Sequence, residues 1–124
     1  MPAHLRELLA SFVAGALMVK VYIAGPMTGY PEYNYPAFNK AALQLEHHGY
    51  TPLNPVDSEQ YNESSGQQPW AWYMRHAIRM VLEADGVALL PGWEKSRGAL
   101  LEVRIAEDLT LSVRELGDWF KEQF

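Results

Sequence analysis

The sequence contains no cysteine among its 124 residues, which excludes disulfide bridges and thiolate chemistry. Basic residues are also scarce, because 10 lysines and arginines stand against 15 acidic residues, for a formal net charge of −5. Proteins bind nucleic-acid polymers through basic surfaces that neutralise phosphates, so we expect no such polymer as a partner. The histidines form neither an HxH nor an HExxH pattern, so we expect no metal site, and no motif indicates a cofactor of another kind.

A stretch long enough to span a membrane is missing too. The mostly apolar segment from Leu8 to Val19 is too short for a comfortable membrane span and runs directly into the first predicted strand. A signal peptide cleaved here would cut close to that strand, so we reject it and expect a cytoplasmic protein without a membrane partner. Residues 1–17 are interpreted as an N-terminal extension, with Met18 as the natural start, or as a short amphipathic helix. Residues 18–124 are predicted to form a single domain.

Short apolar segments rich in β-forming residues alternate with segments of helical periodicity. The predicted strands are 19–24, 50–54, 86–90 and 111–113, and the predicted helices are 37–48, 69–83, 96–108 and 115–123. This alternation predicts parallel strands joined by crossovers, and hence an α/β three-layer sandwich with a small parallel sheet of four to five strands. Residues 57–68 are polar and are predicted to form a long loop. Ligands bind such folds beyond the carboxyl ends of the strands.

The turn after the first strand is a candidate ligand-binding segment. Gly25, Pro26 and Met27 lie where the backbone can approach a ligand closely, although a tight turn explains the same residues. Two further residues follow other strands. Asn54 can contact a ligand sugar or form an Asx turn, and Trp93 can cover a ligand or simply pack.

The helix after the third strand begins with Ser96, Arg97 and Gly98. The first N–H groups of a helix have no intrahelical partner and lie at the positive end of its dipole. Together with a hydroxyl and a guanidinium, they indicate a site for a phosphate or a carboxylate. The alternatives are that Ser96 is an ordinary N-cap and that Arg97 pairs with a surface carboxylate.

Glu102 is the candidate catalytic residue on the same helix. Gly98, Glu102 and Ala106 are spaced at i, i+4 and i+8 on one face, which leaves room around the carboxylate, as a nucleophile requires. A solvated surface glutamate is the alternative explanation.

Three segments of the sequence resemble the nucleoside 2-deoxyribosyltransferase-like superfamily. They read VYIAGPMTG, ADGVALLPGW and SRGALLE, and the likeness extends from Val19 to Trp119. Within that superfamily the chain looks similar to a family of short, often phage-encoded proteins of unknown function. The resemblance implies a flavodoxin-like fold, a homo-oligomer, and a nucleoside or nucleotide as the small-molecule partner.

The resemblance also implies roles for particular residues. Glu102 would attack the anomeric carbon of the sugar and form a covalent glycosyl-enzyme, which water hydrolyses or a second base captures. Ser96 would contact the 5′-phosphate, and Gly25 to Met27 would line the same pocket. Relatives usually carry an aspartate at the position of Ala77, and His76 is the possible substitute for it. The absence of that aspartate favours an alternative function, a non-catalytic nucleotide-binding or sensing domain.

Overall fold

The computed structural model describes residues 2–7 and 18–121, which include four strands and three long helices. The strands are β1 (Lys20–Ala24), β2 (Thr51–Leu53), β3 (Gly86–Leu89) and β4 (Ser112–Glu115), and the helices are α1 (Tyr35–His47), α2 (Trp70–Glu83) and α3 (Arg97–Asp108). Short 3-10 helices cover Pro55–Tyr61, Trp93–Lys95 and Leu116–Phe120, and Pro31–Asn34 forms a turn with left-handed residues. All strand pairs are parallel, in the order β2-β1-β3-β4. The prediction of an α/β fold with a small parallel sheet is confirmed.

Helices cover both faces of the sheet and give it two apolar cores. On one face Val21 and Ile23 of β1 pack with α1 and with Trp119. On the other face Tyr22 and Ala24 pack with α2 and α3. Successive strand residues point to opposite faces, so a strand covered on both sides must be apolar throughout, as the buried residues of β1 and β3 are. This is the three-layer arrangement, and its strand order corresponds to the first four strands of a flavodoxin-like sheet.

The predicted helix at 115–123 is wrong in the described part of the chain. β4 continues to Glu115, and a 3-10 helix follows from Leu116 to Phe120. The physical reason is the burial of Trp119, whose indole N–H donates to the Val87 carbonyl oxygen at 3.0 Å. Residues 122 and 123 lie outside the described residues. The predicted loop at 57–68 is also wrong in its first part, which belongs to the 3-10 helix Pro55–Tyr61.

The predictions for the N-terminus are only partly covered by the structure. Residues 3–7 are helical, whereas residues 8–17 lie outside the described residues, so the choice between an extension and a packed helix stays open. Within residues 2–7 and 18–121, no helix has the length and apolar character needed to cross a bilayer.

Candidate functional site

A cavity of about 740 Å³ opens at the carboxyl edge of the sheet. Its walls come from the turns after β1 and β3, from the 3-10 helix after β2, and from the N-terminal parts of the three long helices. A volume of this size is typical of sites for small molecules. The position follows from the topology, because parallel strands bring the turns at their carboxyl ends to one edge.

Seven of the predicted site residues line this cavity. They are Gly25, Pro26, Met27, Ser96, Arg97, Gly98 and Glu102. Gly25 is required by close packing, since a Cβ atom at this position would lie 2.8 Å from the Cβ of Leu90. The glycine therefore lets the first turn approach the end of β3, which joins two walls of the cavity.

Glu102 is buried at the cavity, with 6% of its surface exposed. Its carboxyl group is hydrogen-bonded to the hydroxyl of Tyr22, which is itself 1% exposed and belongs to the central strand β1. Burial raises the pKa of Glu102 from its ordinary value of 4.5 to about 8, and the Tyr22 hydrogen bond lowers this pKa only in part. A buried carboxyl with a shifted pKa in a cavity is typical of a functional group rather than of a solvated surface residue.

The start of α3 contributes polar and cationic groups to the same cavity. The Ser96 hydroxyl oxygen accepts a hydrogen bond from the Ala99 N–H at 3.2 Å, so Ser96 is the N-cap of the helix. Its hydroxyl proton remains able to donate to a ligand. The Arg97 guanidinium stacks on the Trp70 ring at 3.7 Å and has no carboxylate partner in the described part of the chain. Lys95 also lines the cavity, and the two cations favour an anionic ligand at this end.

The small residues around Glu102 have a different role from the predicted one. A Cβ atom on Gly98 would lie 3.0 Å from the Met74 sulfur, so this glycine allows α3 to approach α2 closely. Ala106 is fully buried in the core and does not line the cavity. The space in front of Glu102 is provided instead by Ala77, a small buried residue of α2 that lines the cavity.

Three other predicted residues do not line the cavity. The Asn54 amide N–H donates to the Asn39 side-chain oxygen at 2.9 Å, and the Asn54 side-chain oxygen accepts from the Val56 N–H at 3.1 Å. Asn54 therefore forms an Asx turn, the alternative to contact with a ligand sugar. Trp93 packs against the core between the sheet and α3. His76 stacks on Tyr61 with a centroid distance of 5.4 Å, so the rotation that would bring it to the position of Ala77 does not occur.

Sequence reasoning missed a group of tyrosines that also line the cavity. Tyr33, Tyr35 and Tyr73 line the cavity, and the Tyr35 hydroxyl donates to Glu59 at 3.3 Å. The visible signal was the tyrosine-rich segment 30–35, but Glu59 lies 24 residues further along the chain. Nothing in the local pattern connects these residues.

The tyrosine-rich segment has an unusual backbone. Glu32, Tyr33 and Asn34 have φ angles of 53°, 53° and 62°, in the left-handed region. Each such residue costs about 1–2 kcal/mol relative to right-handed helical geometry, so three in succession require external support. The Asn34 amide supplies part of it by donating to the Pro26 carbonyl oxygen at 2.9 Å. The segment is thereby fixed to the turn after β1, which also lines the cavity.

The described residues contain no cluster of three histidine or acidic side chains able to hold a metal ion. Fold and site together define a doubly wound α/β protein with a small-molecule cavity, which combines a buried carboxyl group with a cationic helix start. Residues 19–115, which include the whole sheet, match the family described as "Domain of unknown function (DUF4406)", and the chain belongs to this family. No curated protein matches the chain. The family description states no activity.

Proposed function

We propose that the protein cleaves or exchanges the N-glycosidic bond of a nucleoside or nucleoside 5′-monophosphate, with Glu102 as the nucleophile. One observation carries this proposal: Glu102 is the only acidic residue among the described residues that line the cavity, and it is buried. A buried carboxyl without a cationic partner is costly, and such groups are retained mainly where chemistry needs them.

The start of α3 would bind the 5′-phosphate. The N–H groups of Arg97 and Gly98 are among the first of the helix and have no intrahelical acceptor, and the Ser96 hydroxyl can donate in addition. Lys95 and Arg97 supply positive charge at the same place. Glu102 follows Ser96 by six residues on the same helix, so it lies deeper in the cavity, where the sugar of a bound nucleotide would be.

The reaction would proceed in two steps. The Glu102 carboxylate attacks the anomeric carbon through an oxocarbenium-like transition state, while the C–N bond breaks and its electron pair leaves with the base, which takes up a proton from water. The resulting glycosyl ester is then attacked by water, which gives the free sugar, or by a second base, which gives transfer. The Tyr22 hydroxyl donates a hydrogen bond to the carboxylate and holds it in place.

The raised pKa of Glu102 has a direct kinetic consequence. With a pKa of about 8, only about a tenth of the free enzyme carries the ionised nucleophile at pH 7. We therefore expect kcat/KM to rise with pH up to about 8 and then to level off. A rate that falls over the same range would indicate that Glu102 acts as an acid instead.

A second candidate function is nucleotide binding without catalysis. The observation that favours it is Ala77, which faces the cavity where relatives of the resembled superfamily carry an aspartate. Without that group the cavity offers no second carboxyl to assist the nucleophile or protonate the leaving base. Slow turnover with retained affinity would support this function. A homo-oligomeric state is part of the proposal under either function.

The test is release of free base from nucleosides and their 5′-monophosphates by wild type, Glu102→Ala and Glu107→Ala. Glu107 lies on the same helix and is exposed, which makes it a matched control. We expect release by wild type and by the Glu107 variant, none by Glu102→Ala, and an adduct on Glu102 with a 2′-fluoro sugar substrate. Activity retained by Glu102→Ala would refute the nucleophile. Tight binding without release by wild type would favour the second function.

A further inference from the structure

Two tyrosines on the cavity wall share one carboxylate. The Tyr35 hydroxyl donates to the first carboxylate oxygen of Glu59 at 3.3 Å, and the Tyr73 hydroxyl lies close enough to the same carboxylate for Glu59 to raise its pKa. The second oxygen of Glu59 accepts from the Asn62 amide at 3.2 Å. Tyr35 and Tyr73 line the cavity, whereas Glu59 does not. The carboxylate therefore holds both phenol groups from behind the wall.

This arrangement fixes the direction of the phenol protons. A carboxylate can only accept hydrogen bonds, so both protons are directed towards Glu59 and away from the cavity. The phenol oxygens can then only accept from a ligand. Tyr73 already accepts from the Gln68 N–H at 3.2 Å and has one lone pair left. Burial and the nearby Glu59 charge raise the pKa of Tyr35 to about 12, so this phenol stays protonated at physiological pH.

Tyr35 and the cationic helix start belong to different walls of the cavity, while Tyr73 follows Trp70, on which Arg97 stacks, by one helical turn. Glu59 belongs to the 3-10 helix after β2, and Ser96 precedes α3 in the turn after β3. β1 lies between β2 and β3, so the segments that follow these two strands are separated by two strand spacings, roughly 10 Å. Glu102 is hydrogen-bonded to Tyr22 on β1, the strand between them. A ligand whose anion is bound at the start of α3 would thus pass Glu102 and reach Tyr35 with its other end.

We propose that Tyr35 and Tyr73, oriented by Glu59, form the base-recognition subsite and select nucleobases with an exocyclic amino group over those with a carbonyl group at that position. An amino group donates to the phenol oxygens, while a carbonyl oxygen would meet acceptors only and lose its hydrogen bond with water. The half-exposed ring of Tyr33 offers an aromatic surface to the same base. This inference rests on the proposed function and names its substrate class. Glu59 acts as a positioning residue.

The test compares dissociation constants, measured by calorimetry, for matched ligand pairs. Adenosine and inosine 5′-monophosphates differ by an amino against a carbonyl group and by the adjacent ring nitrogen, which accepts in adenine and donates in hypoxanthine. The cytidine and uridine nucleotides differ in the same way, and the 2′-deoxy forms are measured in parallel. The sugar 5-phosphate without a base is the reference ligand. In the better-bound pair we expect the amino member to bind about tenfold more tightly, the usual effect of one unpaired polar group.

Two variants and a control locate the selectivity. In Glu59→Gln the amide can donate to a phenol oxygen, which frees a phenol proton for the ligand, so the ratio of the two affinities should fall towards one. Tyr35→Phe should reduce the ratio as well. Affinity for the sugar phosphate should be unchanged in both variants, which a general structural defect would not permit. Tyr61→Phe is the control, since Tyr61 lies outside the cavity and stacks on His76.

The outcomes separate this inference from the proposed function. Equal affinities within each pair for wild type, with the sugar phosphate bound, would overturn the tyrosine subsite and leave the phosphate site standing. A ratio unaffected by Tyr35→Phe would also overturn it, even if Glu59→Gln failed to fold. If neither the sugar phosphate nor any nucleotide binds, the proposed function fails and the subsite with it.

Discussion

Replacing Glu102 by glutamine is expected to stabilise the protein at neutral pH, by an amount that grows with pH. The carboxyl group is 6% exposed, and its pKa rises from 4.5 in an ordinary environment to about 8 in the folded protein. Above pH 4.5 the unfolded chain releases this proton while the folded protein keeps it. The stability associated with the buried acid is therefore complete below pH 4.5 and is lost as the pH rises towards 8.

The magnitude follows from the size of the pKa shift. Each pH unit between the two pKa values costs wild type at most about 1.4 kcal/mol, so about 2–3 kcal/mol is lost from pH 5 to pH 7. Glutamine has nearly the same shape, can accept the Tyr22 hydrogen bond and does not ionise. The difference in unfolding free energy between Glu102→Gln and wild type should therefore increase by that amount over this range.

Urea unfolding at pH 5, 6 and 7 measures this difference directly. The remaining ionisable groups are the same in wild type and in Glu102→Gln, so their contributions cancel in the difference. Glu107→Gln is the control, because an exposed glutamate should give a difference that does not change with pH. A constant difference for Glu102→Gln from pH 5 to pH 7 would mean that Glu102 is ionised in the folded protein, and the reasoning on its burial would be wrong.

Three further predictions test other parts of the structure. Ala77→Asp should accelerate base release about a hundredfold with little change in ligand affinity, because the added carboxyl enters the cavity and assists the attack by Glu102. The gain requires an intact Glu102, and a folded variant without any gain would contradict the prediction. Ser96→Ala should lower the free energy of unfolding by about 1 kcal/mol, because the helix loses its N-cap. It should also reduce the affinity that a 5′-phosphate adds to a nucleoside, as measured by calorimetry. If the phosphate adds no affinity even in wild type, the anion site is excluded. Gly86→Ala should lower stability by about 1–3 kcal/mol in urea unfolding, because the new methyl group would collide with the Trp119 ring, whereas Gly66→Ala, in open space, should not.

The sequence by itself determined the order of the four strands and the three long helices, and the edge of the sheet that carries the site. β1 and β3 are apolar throughout because both of their faces are covered, and this pattern is visible without a structure. Alternating strands and helices dictate a parallel sheet, which brings the turn at Gly25 and the helix start at Ser96 to one edge. These features can be predicted from local sequence, because helix capping, hydrophobic periodicity and turn residues depend on residues only a few positions apart.

Only the tertiary structure decided which side chains meet. Helical spacing predicted which face of α3 carries Glu102, but it could not predict that this face is buried against Tyr22. The Tyr35 to Glu59 hydrogen bond joins segments 24 residues apart, and the stacking of His76 on Tyr61 turns that histidine away from the cavity. Burial and long-range hydrogen bonds depend on how the elements pack. The pKa of Glu102 and the acceptor character of the tyrosine wall are therefore properties of the folded protein, because the residue types alone do not fix their surroundings.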